Sequence, residues 1–171
     1  MSVERNVNKM ALRQIRGEGD EILRKKSREV VIEDIKTEKI QSLIDDMIET
    51  MHNFNGVGLA AVQVGILRKI IVIDVEDEKG PYVFINPIII KTKGEKECDE
   101  GCLSFPNQFG KVIRPTDVVV EFYDRNAKKI KLKAKDLLAQ AICHECDHLE
   151  GVLFVDRVLP GTLEYVQPEE N

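Results

Sequence analysis

The chain contains no tryptophan, few aromatic residues (5%), only three histidines and four cysteines, and no excess of positive charge. Its 25 lysines and arginines face 30 aspartates and glutamates, a formal net charge of −5 that gives no electrostatic reason for nucleic acid to be a direct ligand. Long apolar runs are absent too. Stretches such as Ile70–Ile73 and Ile88–Ile90 fall far short of the roughly 20 residues a membrane-spanning helix needs, so no membrane partner is expected. The opening MSVERNVNKM has no apolar segment of the signal-peptide kind and does not read as a transit peptide. What is present is a globular composition, 43% hydrophobic and 32% charged. At 171 residues it suits one domain with a full core.

The cysteines are Cys98, Cys102, Cys143 and Cys146. An even count can mean disulfides, but without a secretory signal, and in a domain of this size, a reduced cytoplasmic chain is expected. Reduced cysteines are mostly small buried hydrophobes. The exceptions, metal ligands and reactive thiols, are recognised by their neighbours.

From Thr37 to about His52, Ile40, Leu43, Ile44, Met47, Ile48 and Met51 recur at spacings of three and four, the stripe of an amphipathic helix. Thr37 suits the N-cap, and Asn53, Asn55 and Gly56 are stop signals. Strand-like runs follow at Lys69–Asp74 and at Tyr82–Lys91, the latter broken at Asn86-Pro87. Val118–Tyr123 and Ile130–Lys133 read as two strands joined by a hairpin loop over 124–128. Ala134–Leu149 returns to helical spacing and stops at Gly151. Strands set between two helices predict a single α+β domain of mainly antiparallel strands. Residues 160–171, with Gly161, Pro168 and several glutamates, read as a loose tail.

The second helix carries chemistry. Residues 144–148 read His-Glu-Cys-Asp-His, and positions four apart lie about 40° from each other around a helix axis. His144 and His148 therefore project side by side and can share one metal ion. Glu145, beside them, can take a proton from water at the site without being a ligand. Leu137 and Ala141 continue the stripe, so the histidines are expected to face the core, where buried imidazoles need partners.

A catalytic centre of this kind takes a third protein ligand and leaves a fourth position open. The extended motif H-E-x-x-H-x-x-G-x-x-H is followed here to Gly151 but meets Phe154 where the last histidine would stand. A downstream glutamate would have to be Glu164, Glu169 or Glu170, in the loose tail. His52 ends the first helix, where a histidine is favourable against the helix dipole. The cysteines leave two arrangements. Cys98 and Cys102 could join both histidines in a closed structural site, or one cysteine, presented by a turn at Gly101, could be the third ligand of an open one. The 41 residues between Cys102 and His144 exceed the spacing of a zinc finger, and only the open site gives Glu145 a role.

Three segments together resemble the signature of the peptide deformylase family. Gly56-Val-Gly-Leu-Ala-Ala-Val-Gln63 is similar to its G-x-G-L-A-A-x-Q, Glu100-Gly-Cys-Leu-Ser104 is identical to its E-G-C-L-S, and His144-Glu-Cys-Asp-His148 fits its H-E-x-D-H. The likeness runs from Ala11-Leu-Arg-Gln-Ile to Leu153-Phe-Val-Asp156. It implies removal of the formyl group from the N-terminal formyl-methionine of nascent polypeptides, with release of formate, on an α+β fold whose third motif lies on a central helix. By motif position it implies Cys102, His144 and His148 as metal ligands, Glu145 as the proton-transferring residue, and Gln63 with the backbone N–H of Leu103 as donors to the oxyanion. The metal implied is one divalent ion, natively Fe(II), with zinc, nickel or cobalt able to stand in for it in purified protein.

The resemblance further assigns Val57, Gly58, Gly101 and Ala141 to substrate. Gln140 and Ala141 stand where relatives often carry apolar residues along the methionine slot, and Cys143 and Cys146 read as packing residues. Glu21 replaces a usual proline and should alter only a local turn. Residues 1–9 are expected to be a disordered extension, ahead of a catalytic domain over residues 10–159. The implied partners are formyl-methionyl nascent chains in the vicinity of a ribosome; the tail lacks a basic helix, so direct docking is not asserted. The expected location is a bacterial-type cytoplasm.

Overall fold

The structure, a computed structural model, describes residues 11–168; the extension expected over residues 1–9 lies outside them. Helix α1 (Glu38–Asn53) starts where Thr37 Oγ1 accepts a hydrogen bond from the Ile40 N–H. It buries Ile40, Leu43, Ile44, Met47 and Met51 along one side. It ends as expected, with Asn55 in the left-handed region (φ 54°) and the Gly56 N–H returning to the Met51 carbonyl at 2.9 Å.

Five strands form an antiparallel sheet in the order β1-β2-β3-β6-β7: β1 (Gly58–Ala60), β2 (Ile70–Ile73), β3 (Tyr82–Lys93), β6 (Asp117–Tyr123) and β7 (Lys129–Lys135). Helix α2 (Asp136–Leu149) and α1 cover opposite faces of it. Strand β2 shows why: Ile71 and Ile73 pack with Ala139 and Ile142 of α2, and Ile70 and Val72 pack with Leu43, Ile44 and Met47 of α1. A strand buried on both faces has no polar side to show, and all four of its residues are inaccessible. The break expected at Asn86-Pro87 is an irregularity inside one continuous β3. There Asn86 adopts φ 52°, and its side chain exchanges two 2.8 Å hydrogen bonds with the backbone of Val30.

Three expectations are corrected. The second helix begins at Asp136 rather than Ala134, because Ala134 and Lys135 stay in β7, opposite Val118 and Asp117. Lys129, Lys131, Lys133 and Lys135 line the exposed side of that strand, which is a sheet edge. Lysines at such a position deter edge-to-edge pairing. Leu137 is 49% exposed and does not continue the buried histidine stripe, whereas Ala141 does. Finally, a second sheet of order β4-β5-β8 forms from β4 (Lys96–Cys102), β5 (Phe105–Arg114) and β8 (Glu164–Tyr165). The tail is therefore not loose over this stretch. Tyr165 and Glu164 pair with Gln108 and Phe109, the Val166 N–H donates to the Asn107 carbonyl at 2.7 Å, and Thr162 Oγ1 accepts from the Lys111 N–H.

Candidate metal centre

Cys102 is the last residue of β4, and Phe105, its partner across the ladder, follows a two-residue turn, Leu103-Ser104. The turn is thus one residue beyond the cysteine; Gly101 lies within β4, opposite Phe109, and is not the turn. The hairpin brings Cys102 to the buried face of α2 that carries His144 and His148. One ligand atom from each of the three lies within 4.8 Å of the others, and Cys102 Sγ is 3.3 Å from His148 Nε2. The two imidazoles meet edge to face, with ring centroids 5.1 Å apart. No other group of three or more such side chains converges in this way among the described residues.

The donor set fits a divalent ion. A thiolate and two imidazoles on one side of a small space make a three-ligand centre with room for a fourth. His144 Nδ1 is committed to the Glu100 carboxylate, so the ring presents Nε2 to the centre, the outer-sphere arrangement that fixes a metal-binding tautomer. His148 Nδ1 has no hydrogen-bond partner among the described residues. The closed alternative does not form: Cys98 turns away, its thiol 3.6 Å from the Lys96 carbonyl. His52 is also elsewhere, in the last turn of α1 and 2.7 Å from Asp74. Glu164 is exposed on β8, and Glu169 and Glu170 lie outside the described residues.

Two carboxylates flank His144. Glu145 Oε1 lies 3.6 Å from His144 Nε2, while Glu145 Oε2 is buried without a hydrogen-bond partner among the described residues. Burial pushes the Glu145 carboxyl up to about 7, against a smaller pull from His144. Burial works on Glu100 too, but the hydrogen bonds from His144 and Arg114 outweigh it and hold that carboxyl at about 2. Arg114 Nε and Nη2 grip the two Glu100 oxygens at 3.0 and 2.5 Å, and its Nη1 donates to Asp147 Oδ2 at 2.8 Å. Asp147 in turn accepts from Arg157 at 2.6 and 3.0 Å. The other cysteines are unreactive by environment: burial pushes the Cys143 thiol up to about 11 and the Cys146 thiol higher still.

Gln63 is buried and fixed at both ends. Its Oε1 accepts from the Ala60 N–H at 2.9 Å, and its Nε2 donates to Ser104 Oγ at 3.0 Å and to Cys102 Sγ at 3.5 Å. Leu103 follows Cys102 in the turn to β5, with its side chain against Gly56. Gly58 packs closely on Glu145: a Cβ there would lie 2.9 Å from Glu145 Cγ, so any larger residue requires that side chain to shift. Gly56 makes a similar close approach to the Leu103 side chain. Val57 is exposed, at 41%, directly before Gly58. Gly101 lies under the Phe109 ring, whose nearest atoms would be 2.9 Å from a Cβ, and Ala141 is buried one turn before His144. Gln140 turns to β4, donating to the Asp99 carbonyl (3.1 Å) and toward Glu100 Oε2 (3.3 Å). Glu21 opens a short 3-10 turn capped by Asp20.

Sequence reasoning missed Arg114, Asp147 and Arg157, and gave Glu100 no role. A usable signal did exist, since a buried histidine pair demands hydrogen-bond partners and Glu100 stands two residues from Cys102.

A family model described as polypeptide deformylase matches residues 12–163. A peptide deformylase of Acetivibrio thermocellus is 53% identical over 150 residues, 88% of this chain and 85% of the relative. One of Finegoldia magna is 50% identical over 163 residues, 95% of this chain and 99% of the relative. Among solved structures, the Met-Ala-Ser-bound class I type b peptide deformylase of Acinetobacter baumannii superposes with a TM-score of 0.83 at 28% identity. That match covers 87% of this chain and 99% of the other.

Proposed function

Because the chain belongs to the polypeptide deformylase family, whose metal-dependent members remove the N-terminal formyl group from nascent peptides, we propose how its residues divide that work on formyl-methionyl chains. The observation that carries the reading is the pairing of a three-ligand cluster with a buried carboxylate at its edge, one oxygen of which has no hydrogen-bond partner among the described residues. Cys102, His144 and His148 hold the ion. A divalent ion held there would supply Lewis acidity toward the formyl group and toward water.

The protein's own groups do the rest. Glu145 takes a proton from the attacking water and delivers it to the departing amine, so that a neutral amine leaves and formate is released. Burial raises the Glu145 carboxyl and the nearby ion favours its ionised form, opposing pulls on a group that must both take and give a proton. The Gln63 amide and the Leu103 N–H receive the charge that grows on the formyl oxygen; losing one such donor costs roughly 10²–10³ in rate. Gln63 is suited to this because its carbonyl end is anchored, which aims its NH₂ group at the space beside Cys102. Val57, Gly58, Gly101 and Ala141 receive the start of the peptide, and the Met-Ala-Ser seen in the Acinetobacter enzyme is what such a site would hold after deformylation.

Fe(II) is the resident ion in this reading, with zinc, nickel or cobalt as substitutes that the same N and S donors accept. The enzyme works in the cytoplasm near ribosomes, and no docking contact is required of it. The test is formate release from formyl-Met-Ala-Ser, run anaerobically with Fe(II), alongside metal analysis of variants. Cys102→Ala should lose both metal and activity, and Cys98→Ala should keep both. Equal metal loss in the two would restore the closed four-ligand site and sink the open one.

A further inference from the structure

We propose that Asp147 is a positioning residue for the metal centre, acting through Arg114 and Glu100 on His144. The inference rests on the reading above, that His144 is a ligand together with Cys102 and His148.

The three ligands come from two bodies. Cys102 belongs to the small sheet, at the end of β4, and both histidines belong to α2. Any slippage of one body against the other would open the ligand set. Glu100 on β4 and Arg114 on β5 belong to the sheet side; His144 and Asp147 are three residues apart on α2 and so share one face of the helix. The contacts close a ring: His144 to Glu100, Glu100 to Arg114 (2.5 and 3.0 Å), Arg114 to Asp147 (2.8 Å), and back through one turn of helix to His144. Glu100 and Arg114 are almost wholly inaccessible, at 4% and 3% of their side-chain surface. Outside the ring, Gln140 of α2 also reaches β4, with neutral-donor bonds at 3.1 and 3.3 Å, and Cys102 Sγ lies 3.3 Å from His148 Nε2.

Within the ring Asp147 has a job that Glu100 cannot do. Arg114 spends Nε and Nη2 on Glu100, so Nη1 is its own direct bond to α2, alongside the bonds that Glu100 takes from His144 and Gln140. Asp147 takes that donor with Oδ2 and is itself fixed from the far side by Arg157, which bonds both of its oxygens. Each carboxylate in the path has an arginine partner, Glu100 in Arg114 and Asp147 in Arg114 and Arg157, so neither is left uncompensated. Without Asp147, Arg114 keeps its grip on Glu100 but loses its own tie to α2, and the orientation of His144 then rests on Glu100 alone.

The experiment follows Co(II)-loaded protein, reading the visible ligand-field spectrum and the rate at which a chelator strips the ion. Asp147→Asn keeps an acceptor and Asp147→Ala removes it; Ile44→Ala, a core truncation on α1, supplies a comparable loss of Tm away from the site. The expected result is faster stripping in Asp147→Ala by roughly tenfold, an altered spectrum, partial recovery in Asp147→Asn, and a lowered kcat with KM unchanged. Ile44→Ala should keep the wild-type spectrum. If both Asp147 variants match Ile44→Ala in spectrum and stripping rate at matched Tm loss, Asp147 serves only the scaffold and the proposal is overturned. Should Asp147→Ala fail to fold, Asp147→Asn decides alone by the same two readings. Cys102→Ala, run in parallel, separates the two ideas: retention of Co(II) there would overturn the ligand assignment, not the ring.

Discussion

The two sides of His144 carry the same residue type in opposite states. On one side Glu100 is enclosed by Arg114 and the imidazole itself, every charge has a partner, and its carboxyl is held at about 2. On the other, Glu145 is just as inaccessible, has one oxygen with no hydrogen-bond partner among the described residues, and is pushed up to about 7. Burial is common to both. The difference is compensation: cations and hydrogen-bond donors are arranged around Glu100 and withheld from Glu145. A carboxylate that never gives up its charge can hold a histidine in place, and one poised near neutrality can exchange a proton.

The comparison breaks hardest at the bare side. Glu145→Gln keeps the shape and removes the exchangeable proton, so formate release should fall by roughly 10²–10⁴ while metal analysis still finds about one ion per chain. Full activity in that variant would end the assignment of Glu145 as the proton carrier. Next in size is Gly58→Ala. The new methyl would meet Glu145 Cγ at 2.9 Å, and the carboxylate must shift to admit it. Displacements near an ångström cost about 10²-fold, so kcat should drop by that order with metal content unchanged. A wild-type kcat would mean that Glu145 tolerates relocation.

The supported side should fail differently. Glu100→Gln leaves Arg114 buried without its counter-charge and weakens the hold on His144. Metal affinity should fall roughly 10–100-fold, with a clear loss of Tm, because an uncompensated buried charge is costly. Competition with a chelator and thermal melts measure the two effects. If Glu100→Gln lost activity at full metal occupancy and unchanged Tm, the division between a holding side and a reacting side would be wrong.

Sequence legibility follows the same line. Helix spacing carried His144, Glu145 and His148 onto one turn, and the i, i+3, i+4 stripe of α1 gave its span within a residue at each end, because both signals are local. The small sheet was illegible for a physical reason. In Lys96–Cys102 only Cys98 and Glu100 are buried, so the alternation that marks a strand is written in a cysteine and a charged residue rather than in aliphatics. Arg114 looks like any exposed arginine until the β4–β5 ladder sets it near Glu100, fourteen residues earlier. The tail was misread similarly, since Glu164-Tyr165 finds its partners only on β5. The family likeness pointed to Gln63 and Leu103, whose environment no spacing rule could supply.

The smallest expected effect is a pH dependence, and it separates the two carboxylates by sign. In the metal-free protein Glu145 binds its proton up to about pH 7, whereas the unfolded chain releases it near the ordinary value of 4.5. Its contribution to stability is therefore full below about 4.5 and is lost as the pH rises through 7. Glu100 runs the other way: its carboxyl is held at about 2, so its contribution is present above the ordinary value and is lost as the pH falls from there toward 2. Differences from the neutral variants isolate each one. The Tm of metal-free wild type relative to Glu145→Gln should decline between pH 4.5 and 7, and relative to Glu100→Gln it should decline below 4.5. A divalent ion favours the ionised Glu145 beside it, so loading should flatten the first decline and leave the second in place. Parallel melting profiles for wild type and Glu145→Gln across the neutral window would show that burial does not hold the proton there, and the contrast between the two sides would reduce to one of geometry.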